Sequence, residues 1–142
     1  MNQYKEFNIE DTRNIVCTCY NVINKKGCDT IYQVLTNGFG AQFSREGWKV
    51  AYGFISSKNS NVIVRHCFML DGKNRIIDPA MAKRYPTTFT ERDYYAFKLL
   101  KLQEYLRLLK ENDRLPNMYN AFKEEEEEAC HWARDHGFYP II

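Results

Sequence analysis

Val62-Ile-Val-Arg-His-Cys-Phe-Met-Leu-Asp-Gly-Lys-Asn-Arg-Ile-Ile-Asp-Pro79 reads as two short strands joined by a tight turn. Val62 to Leu70 is β-branched and apolar, Asp71-Gly72 is a turn pair, and Arg75 to Asp78 resumes the apolar run. Side chains alternate faces along a strand, so Val62, Val64, His66, Phe68 and Leu70 share one face. Two polar residues, His66 and Asp78, interrupt this apolar hairpin. A three-residue loop, Asp71-Gly72-Lys73, pairs Leu70 with Asn74 and sets His66 directly opposite Asp78, within reach of an imidazole–carboxylate hydrogen bond. A two-residue Asp71-Gly72 loop pairs His66 with Ile77 and sends Asp78 to the other face. The first register is expected, because burying a lone His and a lone Asp is costly and pairing them satisfies both. The competing reading makes His66 a satisfied half-buried histidine and Asp78 a turn cap before Pro79.

A histidine held by an aspartate is two thirds of a nucleophilic triad, and the missing part is a Ser or Cys at the exposed start of a helix. Gly27-Cys28-Asp29-Thr30-Ile31-Tyr32-Gln33-Val34-Leu35 follows the break Asn24-Lys25-Lys26-Gly27, and Ile31, Val34 and Leu35 recur at helical spacing. Cys28 then falls in the first turn, where the helix dipole favours a thiolate.

These elements occur in a telling order. Gly-Cys28 opens a helix, and Trp48-Lys-Val-Ala-Tyr-Gly-Phe-Ile55 forms a strand. His66-Cys-Phe-Met-Leu-Asp-Gly follows, and then Ile-Ile-Asp78-Pro79. Over Lys26 to about Ala80 this resembles the papain-like and transglutaminase-like cysteine peptidase superfamily. Its relatives include transglutaminase-core peptidases, arylamine acetyltransferases and lasso-peptide maturation peptidases. There the His is commonly followed by Ala-Trp, and this chain has Cys67-Phe68 instead, again a small residue and an aromatic. The resemblance implies a Cys28–His66–Asp78 triad. It implies a papain/transglutaminase-like core, and with the periodicity of the rest of the chain the expected fold is α+β: N-terminal helices, one bearing the Cys, packed on a small antiparallel sheet of about three strands, then two C-terminal helices. It also implies thiol-dependent acyl transfer by a cysteine peptidase or amidase, deamidase or transglutaminase-like, on a protein or peptide substrate and with no cofactor.

Cys19 is the alternative nucleophile, since some relatives carry a Cys-Tyr-x-Asn setting like Cys19-Tyr20-Asn21. It lies mid-helix in the present reading, and its 47-residue interval to His66 suits one helix and one crossing strand less well than the 38 residues from Cys28. Asn21 or Tyr20 could donate to an oxyanion beside the Cys28 backbone N–H.

The whole chain bounds these readings. Its 142 residues make one domain, 1–142, with a catalytic core over 11–80 and a helical C-terminal extension over 89–137. With 44% hydrophobic and 15% aromatic residues it packs a core. A formal charge of +2 with no basic run longer than a pair argues against a nucleic-acid partner. No apolar stretch approaches a membrane span, and the start is not a signal peptide. Five loosely spaced cysteines fit a reducing, cytoplasmic setting. Cys17 and Cys19 could join Cys28 and Cys67 on a metal, but without a Cys-x-x-Cys pair they read as core residues. His131 and His136 do not share a helix face, and no metal site is assigned.

Asp11 caps a helix from Thr12 to about Ile23. Gly38 ends the Cys28 helix, and Ala41 to Gly47 is a loop. Trp48 to Ser56 is a strand, and Trp48 lines the substrate cleft or lies in the core. Thr90 caps a long helix, with Asp93 at the capping-box position and Tyr95, Leu99, Leu102, Leu106 and Leu109 as its seam. A last helix runs from Met118 to about His136, with Gly137 closing it. The run Glu124–Glu128 is read as a solvated segment, with an acidic exosite as the sharper alternative. Phe138 to Ile142 docks back onto the core. A different class of function also fits this sequence: a non-catalytic interaction protein on the same fold, binding through the C-terminal helical face and the acidic run.

Overall fold

The computed structural model describes Ile31, Leu35 and residues 40–57, 60–73, 75–85, 87–88, 91–111 and 119–141. The expected helix over 12–23, the Cys28 helix start, the Gly38 cap and the Thr90 cap lie outside these residues.

The architecture is α+β. Among the described residues five strands form one sheet: β1 (Lys49–Ser57), β2 (Val62–Leu70), β3 (Ile76–Ile77), β4 (Arg92–Leu100) and β5 (Tyr139–Ile141). The order is β3-β2-β1-β4, antiparallel throughout, with β5 joining β2 in parallel. Four α-helices with described bounds accompany the sheet among the described residues: α1 (Gly40–Arg45), α2 (Pro79–Arg84), α3 (Leu102–Glu111) and α4 (Lys123–Asp135). No helix among the described residues is long and apolar enough to cross a membrane.

β1 is central, and Val50 to Ser56 is buried without interruption, as expected of a strand covered on both faces. One face carries Val50, Tyr52, Phe54, Ile63, Met69, Tyr95 and Phe97, packed under α3 and α4. The small residues Ala129 and Ala133 of α4 are fully buried, so that helix approaches the sheet closely, and Phe122 sets its ring 4.9 Å from Tyr52. The other face carries Ala51, Ile55, Phe68, Leu70, Ile76, Tyr94 and Ala96, partly covered by Met81 of α2.

Several expectations are corrected. Residues 92–100 form β4, not the start of a helix, so Asp93 is a buried strand residue and caps nothing. Tyr94, Tyr95 and Phe97 favour a pleated surface, and both faces here are covered. The apparent heptad seam ran across a strand–helix junction, and only Leu102–Glu111 is helical. The sheet therefore gains a strand from the segment assigned to a helical extension. Residues 40–45 are helical and not loop. The acidic run is not simply solvated: Glu126 is 4% exposed and pairs with Arg65 of β2, Nε to Oε2 at 2.7 Å, with a second bond from Nη2 to Oε1. The last helix ends as expected, with Gly137 at φ 85°. The segment after it docks as β5, Tyr139 donating its N–H to the Asn61 carbonyl at 2.8 Å.

Candidate active site

The hairpin register differs from expectation by two residues. Met69 pairs with Ile77 and Leu70 with Ile76, and the loop closes by the Asp71 N–H donating to the Arg75 carbonyl. Continuing that register sets Asp78 against Phe68, not His66. The cause is the Asp71 side chain, whose Oδ1 accepts the backbone N–H groups of Lys73 and Arg75 and moves the loop one residue along the chain. A shift of two preserves the face, so His66 reaches Asp78 on the diagonal.

The two residues do meet. His66 Nε2 lies 2.6 Å from Asp78 Oδ2. Tyr94, two strands away on β4, donates its hydroxyl to the same Oδ2 at 2.7 Å. Asp78 Oδ1 accepts the Met81 N–H at 3.3 Å, which makes Asp78 the N-cap of α2, with Pro79 at the first helical position. Asp78 thus serves three donors at 1% exposure, while the His66 side chain is 17% exposed. With Oδ2 already accepting from Tyr94, the pair is best satisfied by Nε2–H donating to Asp78, which leaves Nδ1 as the basic nitrogen.

Aromatic packing fixes the ring. His66 stacks on Phe68 with an interplanar angle of 15° and a centroid distance of 6.2 Å, and Tyr94 meets Phe68 edge-on at 5.0 Å. Gly53 stands directly opposite His66 on β1. The β1–β4 register shifts between Tyr52 and Gly53, and a Cβ at Gly53 would fall 1.7 Å from the Tyr95 carbonyl oxygen. Only glycine admits that approach, and the shift is what carries Tyr94 over the His66 face.

His66 opens onto a cleft of about 420 Å³ whose apolar walls are Ile55, Val62, Val64, Met81 and Tyr85. Trp48 is not part of it. It is 2% exposed in the cluster on the other face, donates to Glu46 Oε2 at 3.2 Å and borders a separate cleft of about 340 Å³.

Cys28, Cys19, Asn21 and Tyr20 lie outside the described residues. The two cysteines that are described are poor nucleophiles. Cys67 follows His66 on β2 and so faces the other side of the sheet. Burial pushes its thiol up, against a hydrogen bond with Tyr52, and the charge of Asp78 adds to the rise. Burial, then the neighbouring Glu126, raises Cys130. Ile31 and Leu35, from the segment after Cys28, pack against the cluster on the face away from His66. Among the described residues no three His, Cys, Asp or Glu converge on a metal position. Sequence reasoning does not find Tyr94, because helical spacing makes its segment read as helix; the aromatic run Tyr94-Tyr95-Ala96-Phe97 is the signal that points to a strand.

No protein-family profile, curated protein or solved structure matches this chain.

Proposed function

We propose that this protein is a cysteine-dependent acyl-transfer enzyme of papain-like or transglutaminase-like type, with His66 as general base and acid, Asp78 as its orienting carboxylate and Cys28 as nucleophile. The observation that carries the proposal is the 2.6 Å His66–Asp78 contact, with Asp78 buried and braced by Tyr94 while the ring borders a cleft. A buried, fully hydrogen-bonded aspartate behind a part-exposed histidine holds the ring in one tautomer and stabilises the imidazolium formed during turnover.

The Cys28 thiol gives its proton to His66 Nδ1, and the sulfur attacks an amide carbonyl carbon. The C–N bond breaks as the imidazolium protonates the departing amine, leaving a thioester on sulfur. Water or a second amine then attacks the thioester, yields an acid or a new amide, and returns the proton to sulfur through His66. Cys19 is the other nucleophile open to this reading.

One observation favours a second reading, a non-catalytic interaction module in which the His66–Asp78 pair is structural. Ile31 and Leu35 pack across the sheet from His66, and Cys28 is only three residues before Ile31.

Iodoacetamide labelling of each cysteine, followed by peptide mass spectrometry from pH 5 to 9, separates the two readings. A thiolate–imidazolium pair makes Cys28 react far faster than the other cysteines near pH 6, and His66→Ala removes the advantage. Fast labelling of Cys19 moves the nucleophile there. Uniformly slow labelling until pH 8 or above sinks the catalytic reading.

A further inference from the structure

The polar lining of the His66 cleft is lopsided in charge. Ser56, Ser57, Ser60, Arg65, Arg84 and Arg92 line it, and no carboxylate among the described residues does. Arg65 is engaged by Glu126. Arg84 and Arg92 have no carboxylate partner among the described residues.

Arg92 is held in place without being neutralised. Its Nη1 donates to Ser57 Oγ at 2.9 Å, and its guanidinium carbon lies 4.9 Å above the Tyr85 ring. Both contacts fix the plane of the group, and neither cancels its charge. A guanidinium has five N–H donors, so most remain for a ligand. Ser60 Oγ accepts the Val62 N–H at 3.2 Å, which leaves its own hydroxyl proton to donate. The positioned Arg92, the exposed Arg84 beside it on the cleft wall and the unused Ser60 hydroxyl, in a cleft with apolar walls, form a candidate anion site.

We propose that this cleft recognises a carboxylate on the acyl substrate, with Arg92 and Arg84 as its binding residues, so that the enzyme acts on an amide in an acidic setting. This rests on the function proposed above. A planar carboxylate matches the fixed Arg92 fork better than a tetrahedral anion does, and the apolar walls take the carbon skeleton between the charge and His66.

The test compares N-acetyl-L-glutamine, which carries a carboxylate, with neutral N-acetyl-L-glutaminamide. Each is titrated into the full ¹⁵N-labelled chain, and the side-chain resonances of Arg84, Arg92 and His66 are followed. The acid is expected to bind about tenfold or more tightly than the amide, the scale of one charge-assisted contact, and Arg84→Gln or Arg92→Gln should abolish that preference. Arg84 is exposed, so its variant folds and decides the matter even if Arg92→Gln does not fold. Equal binding of acid and amide, an unaltered preference in Arg84→Gln, or tighter binding of inorganic phosphate than of the acid overturns the proposal. Mass spectrometry for a protein-bound thioester separates the two levels. Selective binding of the acid with no thioester keeps the subsite and removes the enzyme, whereas a thioester formed equally from both probes keeps the enzyme and removes the subsite.

Discussion

Replacing Asp78 by asparagine changes almost nothing in shape and reverses the hydrogen-bond logic around His66. Asparagine caps helices as well as aspartate does, so α2 should be little affected if the amide oxygen accepts the Met81 N–H. The amide nitrogen then faces His66 Nε2 and the Tyr94 hydroxyl, the two donors that Oδ2 now serves at 2.6 and 2.7 Å. Three donors cannot satisfy one another. The expected relief is movement of the imidazole proton from Nε2 to Nδ1, so that Nε2 accepts from the amide, while the Tyr94 hydroxyl turns away. Two charge-assisted bonds of about 1.5–3 kcal/mol each give way to one neutral bond of about 1 kcal/mol, a net loss of roughly 2 kcal/mol or more. With a urea m-value of about 2 kcal/mol/M, the unfolding midpoint should fall by about 1 M. Long-range ¹H–¹⁵N correlation of the neutral His66 ring reads the tautomer directly. An unchanged Nε2–H tautomer in Asp78→Asn, with a midpoint within about 0.2 M of wild type, would refute the assignment of Asp78 as the group that orients this ring.

Three further outcomes are expected. Glu126→Ala strips the Arg65 guanidinium of its buried partner; because the Arg65 side chain is 37% exposed and water can replace part of the loss, the cost should be about 1–3 kcal/mol in urea unfolding, and no change would contradict the pairing. Gly53→Ala drives a methyl into the Tyr95 backbone and should cost more than about 3 kcal/mol or prevent folding, so a folded variant of native melting temperature would contradict the β1–β4 shift. Burial opposes the Asp71 charge, but the Arg75 and Lys73 N–H groups and the Arg75 guanidinium outweigh it and hold the carboxyl below the ordinary range. Its contribution is therefore full above the unfolded value near ~3.9 and lost as pH falls through the folded one; Asp71→Ala should destabilise by about 1–2 kcal/mol at pH 7 and progressively less as pH falls below ~3.9.

The hairpin and the His66–Asp78 pair were legible because they depend on alternation, a property written directly in the order of residues. Register was less legible, since it turned on whether the Asp71 side chain caps the loop, and a slide of two residues leaves the alternation intact. β4 was hidden for a different reason. Tyr95, Leu99, Leu102, Leu106 and Leu109 keep helical spacing across a junction where the backbone changes from strand to helix at Lys101. Tyr94 went unseen with it, and with Tyr94 one of the three donors to Asp78. Neither Arg92 nor Arg84 carries a local signature. Their meeting at one cleft depends on β4 lying beside β1 and on α2 folding back after Asp78, neither of which periodicity reports. Glu126 looked like one of five equivalent carboxylates, and only the position of α4 against Arg65 distinguishes it.

The docking of β5 has a further consequence. Tyr139 turns its N–H inward to Asn61, so the backbone of the next residue faces outward, and that residue is Pro140. No further strand follows β5 among the described residues, and Tyr139 and Ile141 expose apolar side chains there, at 65% and 56%. A sticky, unpaired margin of this kind would ordinarily recruit a strand from a second molecule. At its centre the outward donor is missing, because proline has no N–H. Among the described residues this margin therefore ends at a residue that offers a carbonyl but no outward N–H, which weakens it as a template for another strand.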